Sequence, residues 1–429
     1  AAASAAWAAA ATSGHAALLR LCGTPALGLQ QPLQLRSPPL ARHRPGQHQA
    51  ARGPALERIA GSATLTHATA AAAAGVVATA LIVQNKGGGH GEIGYHLALA
   101  LRRRGLAVTL LGDAAADRST PPFSSYADLE AQGVSVRWAE LAKVGALAEA
   151  AGAAAEAEGG PFTFVFDNQN VCPEEVQDLC RDWRPLLYTY VSSAGVYEPM
   201  GDAPLLEGGP KKASSKQLAV ERRALSLAGL RSCFFRPQYI YGPLTSKRDY
   251  LDYFFDRLIR GLRVPLPGDG CQRTTLTHVE DVAAMIAQVV DVPPESISGE
   301  AFNCASNRRV SYLKLLADVG ACLGMDREAA KAQAAFYRPE TIDLPSGAQG
   351  FPFRPQHFGV GVSKAMTTLK WKPARRLDRA ALEEYLAEYR RLGRDQLPLD
   401  LRFNEAALAS RQPKQATPGA VLEKTLAAA

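Results

Sequence analysis

The 429-residue sequence lacks several features that mark common classes of protein. Its seven cysteines are scattered, with no CxxC pair and no metal-ligand spacing, which argues against a zinc module and favours reduced thiols. No stretch approaches the roughly 18 to 20 uninterrupted apolar residues that span a membrane. We therefore expect a soluble protein without a membrane partner.

Acidic residues are nearly absent from the beginning of the chain. Residues 1–79 contain six arginines, no lysine and a single acid, Glu57, in a segment rich in Ala, Pro, Gln and Ser. This composition, without hydrophobic periodicity, is typical of an organelle transit peptide. A disordered arm of the mature protein would have a similar composition. We predict a transit peptide over residues 1–75.

The rest of the chain carries little net charge. Of the formal charge of +7, residues 1–79 account for +5, so residues 80–429 carry only +2. Within them, residues 80–300 hold 22 basic and 27 acidic side chains, whereas residues 301–429 hold 20 and 13. A nucleic-acid partner would therefore require cations grouped in one place, and the C-terminal third is the favoured location.

Strand-like and helix-like segments alternate from about residue 78. The strand candidates are short apolar runs at 78–84, 106–111, 134–138, 162–167, 186–192 and 231–235. The helix candidates between them are 92–104, 124–132, 140–158, 173–182 and 212–229. This alternation predicts an α/β fold over residues 76–245, with a Rossmann-type doubly wound parallel sheet covered by helices on both faces.

The pattern changes after residue 245 to segments punctuated by proline and glycine. Helix candidates follow near 248–261, 279–291, 311–323, 362–370 and 377–392. We predict a smaller C-terminal cap region over residues 246–395, interleaved with the last strands of the sheet. Residues 396–429 are predicted to form a tail.

A glycine-rich turn follows the first strand candidate. Gly88, Gly91 and Gly94 form a GxxGxxG pattern that opens a helix, which is the arrangement that holds the pyrophosphate of a dinucleotide. Asp113, after the second strand, is the acid expected to bind the adenosine ribose. The glycines could equally serve only to let the helix pack on the sheet. NAD(P) binding and no cofactor both remain open.

The segment after the fifth strand resembles the catalytic region of short-chain dehydrogenase/reductases. Ser192 and Lys216 stand where these enzymes keep their serine and lysine, but Lys212 replaces the proton-donating tyrosine four residues before Lys216. If a helix continues through both lysines, their side chains share one face. A second cation cannot act as the phenol does, so we do not expect reduction or epimerisation.

The segment that reaches the substrate in nucleotide-sugar epimerases also departs from its usual pattern. Thr274 and Thr275 replace an Arg-Asp pair, and a neutral pair cannot clamp a sugar diphosphate. His278 and Asp281, which follow, are interpreted as strand-end and helix-cap residues. These departures again argue against epimerase chemistry.

Several colinear motifs resemble the chloroplast stem-loop-binding proteins. They lie at residues 194–197, 235–243, 253–257, 352–358 and 369–373, and the resemblance covers about residues 80–405. That family consists of atypical short-chain dehydrogenases of the plastid that have lost the redox tyrosine. The resemblance implies binding to RNA stem-loops, ribosomal RNA and ribosomal particles in the chloroplast stroma. It also implies a possible divalent-metal-dependent endoribonuclease, and a homo-oligomer or a hetero-oligomer with a paralogue.

Two alternatives to that function remain open at this point. One is a true NAD(P)-binding dehydrogenase or epimerase-like enzyme, which would need a relocated acid. The other is a catalytically silent partner that stabilises ribosomal particles.

Candidate RNA and metal ligands follow from the resemblance and from the predicted cleft. Lys212, Lys216 and Arg236 are the candidate RNA contacts. Asp167 and Asp113, both at predicted strand ends, are the candidate ligands for Mg²⁺. The family reads Asp-x-Asn-Gly where this chain reads Asp-Asn-Gln-Asn from Asp167 onward, which weakens the expectation of nuclease activity more than that of RNA binding.

Overall fold

A computed structural model describes residues 77–85, 90–248 and 250–410. The predicted transit peptide, Gly88 and the last part of the predicted tail, residues 411–429, lie outside the described residues.

Seven parallel strands form the main sheet, in the order β11-β6-β5-β4-β1-β2-β3. This order, with the first strand in the middle, confirms the predicted doubly wound α/β fold. The strands of the sheet are β1 (Thr79–Gln84), β2 (Ala107–Asp113), β3 (Val134–Ala139), β4 (Phe164–Asn168), β5 (Leu187–Val191), β6 (Ser232–Pro237) and β11 (Ala301–Cys304).

Helices cover both faces of this sheet. Alternate residues of β1 show why: Ala80 and Ile82 are buried in one core, and Leu81 and Val83 in another on the opposite face. No helix within the described ranges has the length and apolar character needed to cross a membrane. The helices are α1 (Glu92–Arg103), α2 (Tyr126–Ala131), α3 (Ala146–Ala157), α4 (Pro173–Trp183), α5 (Lys216–Ser226), α6 (Leu251–Ile259), α7 (Val279–Ala287), α8 (Tyr312–Cys322), α9 (Arg327–Ala332), α10 (Ser363–Thr368), α11 (Arg379–Arg391) and α12 (Arg402–Ala409).

The second half of the chain builds a third core, rich in aromatic side chains, from α6, α8, α11 and α12. It also returns to the main sheet, because β11 pairs in parallel with β6 and α7 packs in the same core as α1. Three two-stranded sheets complete it: β7 (Ile240–Tyr241) with β10 (Thr277–His278), β9 (Arg273–Thr274) with β12 (Val310–Ser311), and β8 (Val264–Pro267) with β13 (Ala334–Tyr337).

The helix α12 occupies part of the segment for which a tail was predicted. Phe403 and Ala407 are buried in the third core, at 3% and 0% exposure. Asn404 accepts a hydrogen bond from Arg257 and donates one to the carbonyl of Arg263. The tail prediction is therefore corrected over residues 402–409. So short a helix gave no clear periodic signal, and its buried face is defined by contacts in the third core, such as that of Phe403 with Tyr337.

The cysteines of the described residues form no disulfide. Cys180, Cys233 and Cys304 are fully buried, and burial raises the pKa of the Cys233 thiol to about 12. Such thiols behave as small apolar core residues. Cys22 lies outside the described residues.

Candidate functional site

A cleft of about 300 Å³ lies at the carboxyl edge of the main sheet, where a doubly wound fold holds its ligand. It is bounded by the start of α1, by the segment after β5, by the segment after β6 and by residues 354–358. Its lining includes His90, Ser192, Gly195, Gln217, Tyr239 and Arg354. The sequence predicted the catalytic motif of the short-chain dehydrogenases at this position. We therefore call it the ancestral cleft.

Ser192 does not present its hydroxyl for catalysis. The hydroxyl donates a 2.6 Å hydrogen bond to Oε1 of Glu221 on α5. Glu221 in turn binds Arg236 of β6, which donates from Nε at 3.0 Å and from Nη2 at 2.5 Å. All three side chains are buried. The hydroxyl proton of Ser192, which would otherwise polarise a substrate carbonyl, is donated to a buried carboxylate.

The same contacts continue to two further side chains. Arg236 donates from Nη1 to the hydroxyl of Tyr197 at 2.8 Å, and that hydroxyl donates to Oδ1 of Asn303 at 2.7 Å. We call Ser192, Glu221, Arg236, Tyr197 and Asn303 the Glu221 network. A buried polar network of this kind is stable only when every member has its partners, which is the case here.

Arg236 is therefore not an RNA contact, contrary to the sequence prediction. It is 3% exposed, and its guanidinium faces Glu221 and Tyr197 inside the protein. Burial alone lowers its pKa, but the hydrogen bonds and the charge of Glu221 outweigh burial and raise the pKa above its ordinary value. Burial raises the pKa of Tyr197 to about 12, against the opposing charge of Arg236.

The two lysines of the ancestral motif do not share a helical face. The helix α5 begins only at Lys216, where the hydroxyl of Ser215 caps it by accepting from the amide of Leu218. Lys212 lies before the helix, and its amide donates to the carbonyl of Val196. The predicted spacing of one helical turn is thus wrong, because the N-cap intervenes between the two residues.

Neither lysine lines the cleft. Lys216 is exposed and Lys212 is half-buried. They remain candidate RNA contacts at the surface beside the ancestral site, but they supply no charge to its interior.

The side chain of Gln84 packs against the glycine turn. Gln84, the last residue of β1, donates to the carbonyl of Gly91 at 2.9 Å and accepts from Asn168 at 2.6 Å. A Cβ atom at Gly94 would lie 2.2 Å from Oε1 of Gln84, so this position requires glycine for close packing. Gly91 immediately precedes α1.

The first residue of α1 is an acid, at the end of the helix where this fold holds a pyrophosphate. Glu92 is fully buried, with Oε1 3.1 Å from Nδ1 of His90. Its Oε2 has no hydrogen-bond partner in the described part of the chain. A carboxylate is stabilised at a helix N-terminus, but there it opposes the binding of a pyrophosphate at the same end.

Asp113 is placed as a ribose-binding acid should be. It ends β2 at the carboxyl edge, is 9% exposed and accepts from the amide of Ala115 at 3.1 Å. The residues present thus fit the adenosine ribose of NAD(P), whereas Glu92 does not favour its pyrophosphate.

The predicted magnesium pair is not assembled. Asp167 is fully buried and accepts from the hydroxyl of Tyr188 at 2.8 Å and from the amide of Gln169 at 3.2 Å. Its strand is separated from that of Asp113 by β1, which places the two backbones about 10 Å apart at two strand spacings. Magnesium ligands lie about 2 Å from the ion. In the described ranges, no group of three or more His, Cys, Asp and Glu side chains is arranged to hold a metal.

Sequence reasoning missed Glu221. Its signal was an acid on the apolar face of a helix, because Leu218, Glu221 and Ala224 follow one another at a spacing of three and are all buried. The identity of its partners could not be inferred, since Ser192 follows β5 and Arg236 lies in β6, both far from Glu221 in the sequence.

The two threonines of the segment that reaches the substrate in nucleotide-sugar epimerases lie in the interior of this protein. Thr274 and Thr275 are fully buried, and the hydroxyl of Thr274 accepts a hydrogen bond from Gln238. Their neighbour Arg273 is partly exposed and pairs with Asp202. The substrate clamp is therefore absent from its usual position, as the neutral pair suggested.

His278 caps α7, as interpreted from the sequence. It is 4% exposed, and its Nδ1 accepts from the amide of Glu280. Asp281 accepts from the amides of Ala374 and Arg375. Both side chains thus bind backbone amides.

A His278→Asn variant should lose less unfolding free energy than the wild type as the pH falls from 7 to 4. Burial lowers the pKa of His278 to about 4, although Glu280 opposes the shift; the unfolded value is about 6.5. Between those values the unfolded state binds more protons, so stability is lost as the pH falls. Asparagine keeps the capping acceptor. Urea titrations at pH 4 to 7 should show about 3 kcal/mol less decline for the variant, and parallel profiles would contradict this.

The order of the strands and the glycine turn define a Rossmann-type fold of the extended dehydrogenase class. The sequence profile of the NAD dependent epimerase/dehydratase family matches residues 87–305, just over half of the chain. The chain belongs to this family. Family membership supports an NAD(P) site at the carboxyl edge of the sheet.

A curated plant protein and many solved structures are similar to this chain. The plant protein is "Chloroplast stem-loop binding protein of 41 kDa b, chloroplastic" from Arabidopsis thaliana, which is 32% identical over 245 residues. The match covers 55% of this chain and 60% of that relative. It confirms the resemblance to chloroplast stem-loop-binding proteins.

The solved structures show the fold. The dTDP-glucose 4,6-dehydratase of Bacillus anthracis, in complex with NAD, has a TM-score of 0.57 at 14% identity and covers 73% of this chain and 97% of its own. The UDP-glucose 4-epimerase of Thermotoga maritima, with UDP-glucose, has a TM-score of 0.54 at 16% identity, with 73% and 99% covered.

Proposed function

We propose that this protein is an RNA-binding protein of the plastid that uses a dehydrogenase fold without its redox chemistry. The name of the Arabidopsis relative includes stem-loop binding and a chloroplast location. It therefore supports RNA binding and a plastid location. The Glu221 network supports the loss of redox chemistry, because it sequesters Ser192.

The observation that carries RNA binding is a basic groove on the cap region. Three adjoining depressions run along α8, the start of α9 and the start of α11, and they share Arg308, Lys314 and Arg327 between them. We call them together the cap groove. Its charged lining consists of two acids, Asp318 and Asp378, and six cations: Arg308, Arg309, Lys314, Arg327, Lys331 and Arg379.

Two cations of the cap groove are exposed although they are paired. Lys314 and Arg327 both bind Asp318 at 2.5 Å, and their side chains are 61% and 57% exposed, whereas that of Asp318 is 15% exposed. We infer that both cations can contact a phosphate while they remain beside Asp318. Arg308 is exposed and forms no ion pair with the described residues. The groove matches the basic C-terminal third indicated by the sequence.

The ancestral cleft is a weaker candidate for the phosphates. Arg354 is the one arginine or lysine in its described lining. Two of its nitrogens already donate to the carbonyls of Tyr197 and Gly195. Lys212 and Lys216 lie outside the lining, so RNA over this cleft would need to reach them at the surface.

Salt titration of stem-loop binding distinguishes the two positions. Each phosphate contact contributes about 0.7 to 0.9 to the slope of log affinity against log salt. The Arg308→Gln/Lys314→Gln variant should therefore weaken binding and reduce the slope by about 1.5, whereas Lys212→Gln/Lys216→Gln, which removes the same charge, should change it little. The opposite ranking would place the RNA beside the ancestral cleft. Unchanged slopes in both variants would contradict specific RNA binding at either place.

The finer parts of the proposal concern the RNA target and its fate. We propose ribosomal RNA within ribosomal particles of the stroma as the target, and a homo-oligomer or a hetero-oligomer with a paralogue as the assembly. Endoribonuclease activity is not proposed, because the carboxylate of Asp167 is buried and already accepts hydrogen bonds from Tyr188 and from the amide of Gln169. We therefore propose a ribosome-stabilising role without nuclease activity.

A further inference from the structure

A third cavity, of about 510 Å³, lies against α6 and shares no lining residue with the cleft or the cap groove. It is bounded by α6, by residues 347–352 and by residues 398–400. We call it the α6 cavity. Two segments that carry the family resemblance, residues 253–257 and 352–358, meet at its wall. The proposed RNA groove gives neither segment a role.

A buried cation faces this cavity. Arg257 is 3% exposed, and no carboxylate of the described residues forms an ion pair with it. Its Nε donates to Asn404 at 2.9 Å and its Nη1 to the carbonyl of Tyr253 at 3.0 Å, and its guanidinium lies 3.6 Å from the centre of the Tyr253 ring. Burial lowers its pKa, against the charges of Tyr253 and Asp256. Buried arginines are rarely left without an anionic partner.

A second arginine in the lining has an unused donor. Nε of Arg248 is buried and has no hydrogen-bond partner in the described part of the chain. Its Nη2 donates to Asp256 at 2.8 Å. The wall thus offers one unpaired guanidinium and one free donor of another.

The two acids of the wall do not neutralise Arg257. Asp256 already accepts from Arg248, Arg260 and Tyr389. Asp400 accepts from Nε and Nη2 of Arg402. Their charges are therefore shared with other arginines, and neither forms an ion pair with Arg257.

We propose that the α6 cavity is a binding site for a nucleotide phosphate monoester, held by Arg257 and Arg248. A guanidinium binds phosphate oxygens through paired, charge-assisted hydrogen bonds. The cavity has the volume of a small-molecule site, and the ring of Phe351 lies in its wall. The phosphate belongs either to a free nucleotide or to the end of an RNA; in the second case the inference rests on the proposed function.

Calorimetric titration of the full chain tests the site. Wild-type protein should bind adenosine or uridine 5′-monophosphate and not the matching nucleosides. Arg248→Gln and Arg257→Lys should each weaken nucleotide binding by at least about tenfold, since each removes a charge-assisted or paired contact. The matched control is Arg222→Gln, because Arg222 is an exposed arginine on α5 that does not line the cavity. Arg257→Lys retains the charge of this buried position. If that variant fails to fold, Arg248→Gln still tests the site, because Arg248 is partly exposed.

Stem-loops with a 5′-phosphate or a 5′-hydroxyl distinguish the two sources. A preference for the phosphorylated RNA that disappears in both arginine variants assigns the site to an RNA end. Nucleotide binding without that preference assigns it to a free nucleotide, and leaves stem-loop binding through the cap groove intact. Equal binding of nucleotide and nucleoside, no binding of either, or arginine variants that match wild type would overturn the inference.

Discussion

A Glu221→Ala variant is expected to lose about 3 to 5 kcal/mol of unfolding free energy, the range for removing one partner of a buried ion pair. The reason is that Arg236, at 3% exposure, would keep its charge without a carboxylate to balance it. Ser192 would lose its acceptor at the same time. Urea or thermal unfolding of the purified protein measures the difference.

Two controls separate the ion pair from a general effect of substitution on α5. Arg222→Ala removes a long charged side chain from the next, exposed position and should stay within about 0.5 kcal/mol of wild type. The Glu221→Leu/Arg236→Met double variant removes both charges and should recover most of the loss, because apolar replacements of buried pairs are often neutral or stabilising. A Glu221→Ala variant as stable as Arg222→Ala would show that the network is not structural.

The protein is expected to show no turnover of NADPH with nucleotide sugars or small carbonyls, even when the missing tyrosine is restored by Lys212→Tyr. A general acid contributes about 10²- to 10⁴-fold to such reactions, so in an intact site its return would be easily measured. Here position 212 lies before α5 and outside the cleft lining, and Ser192 is bound to Glu221. Steady-state absorbance of NADPH, with wild type and the variant, tests this.

The contrary result is equally specific. Turnover that appears in the Lys212→Tyr variant and is abolished by adding Ser192→Ala would show that the ancestral site is intact. NADPH binding without turnover would agree with the fit of Asp113 to a ribose, and would leave the fold a nucleotide-binding one.

Most of the sheet and its helices could be predicted from the sequence. Apolar runs such as the one that forms β1 are buried on both faces, so they are hydrophobic throughout and easily recognised. The boundaries of α1 and α4 were predicted to within about one residue, because each is long, amphipathic and begins after a turn. The two-stranded sheets were not predicted, since strands of two to four residues are too short to show periodicity.

Site residues were predicted less well, because motif spacing does not fix local geometry. The pairing of Lys212 with Lys216 assumed a continuous helix, but Ser215 starts the helix between them. Arg236 was assigned to RNA as a phosphate contact in the predicted cleft, whereas it is buried and forms an ion pair with Glu221. Asp167 was assigned to a metal because it ends a strand. Its carboxylate instead accepts a hydrogen bond from Tyr188 on the neighbouring strand.

The sequence by itself determined the class of fold, the family resemblance and the loss of the redox tyrosine, because these depend on residue type and on periodicity along the chain. Only the tertiary structure decided what replaced the lost chemistry. The contacts of the Glu221 network join residues as far apart as Tyr197 and Asn303, and the unpaired state of Arg257 depends on which carboxylates lie near it in space. Burial and ion pairing are properties of a packed interior, and no local pattern in the sequence specifies them.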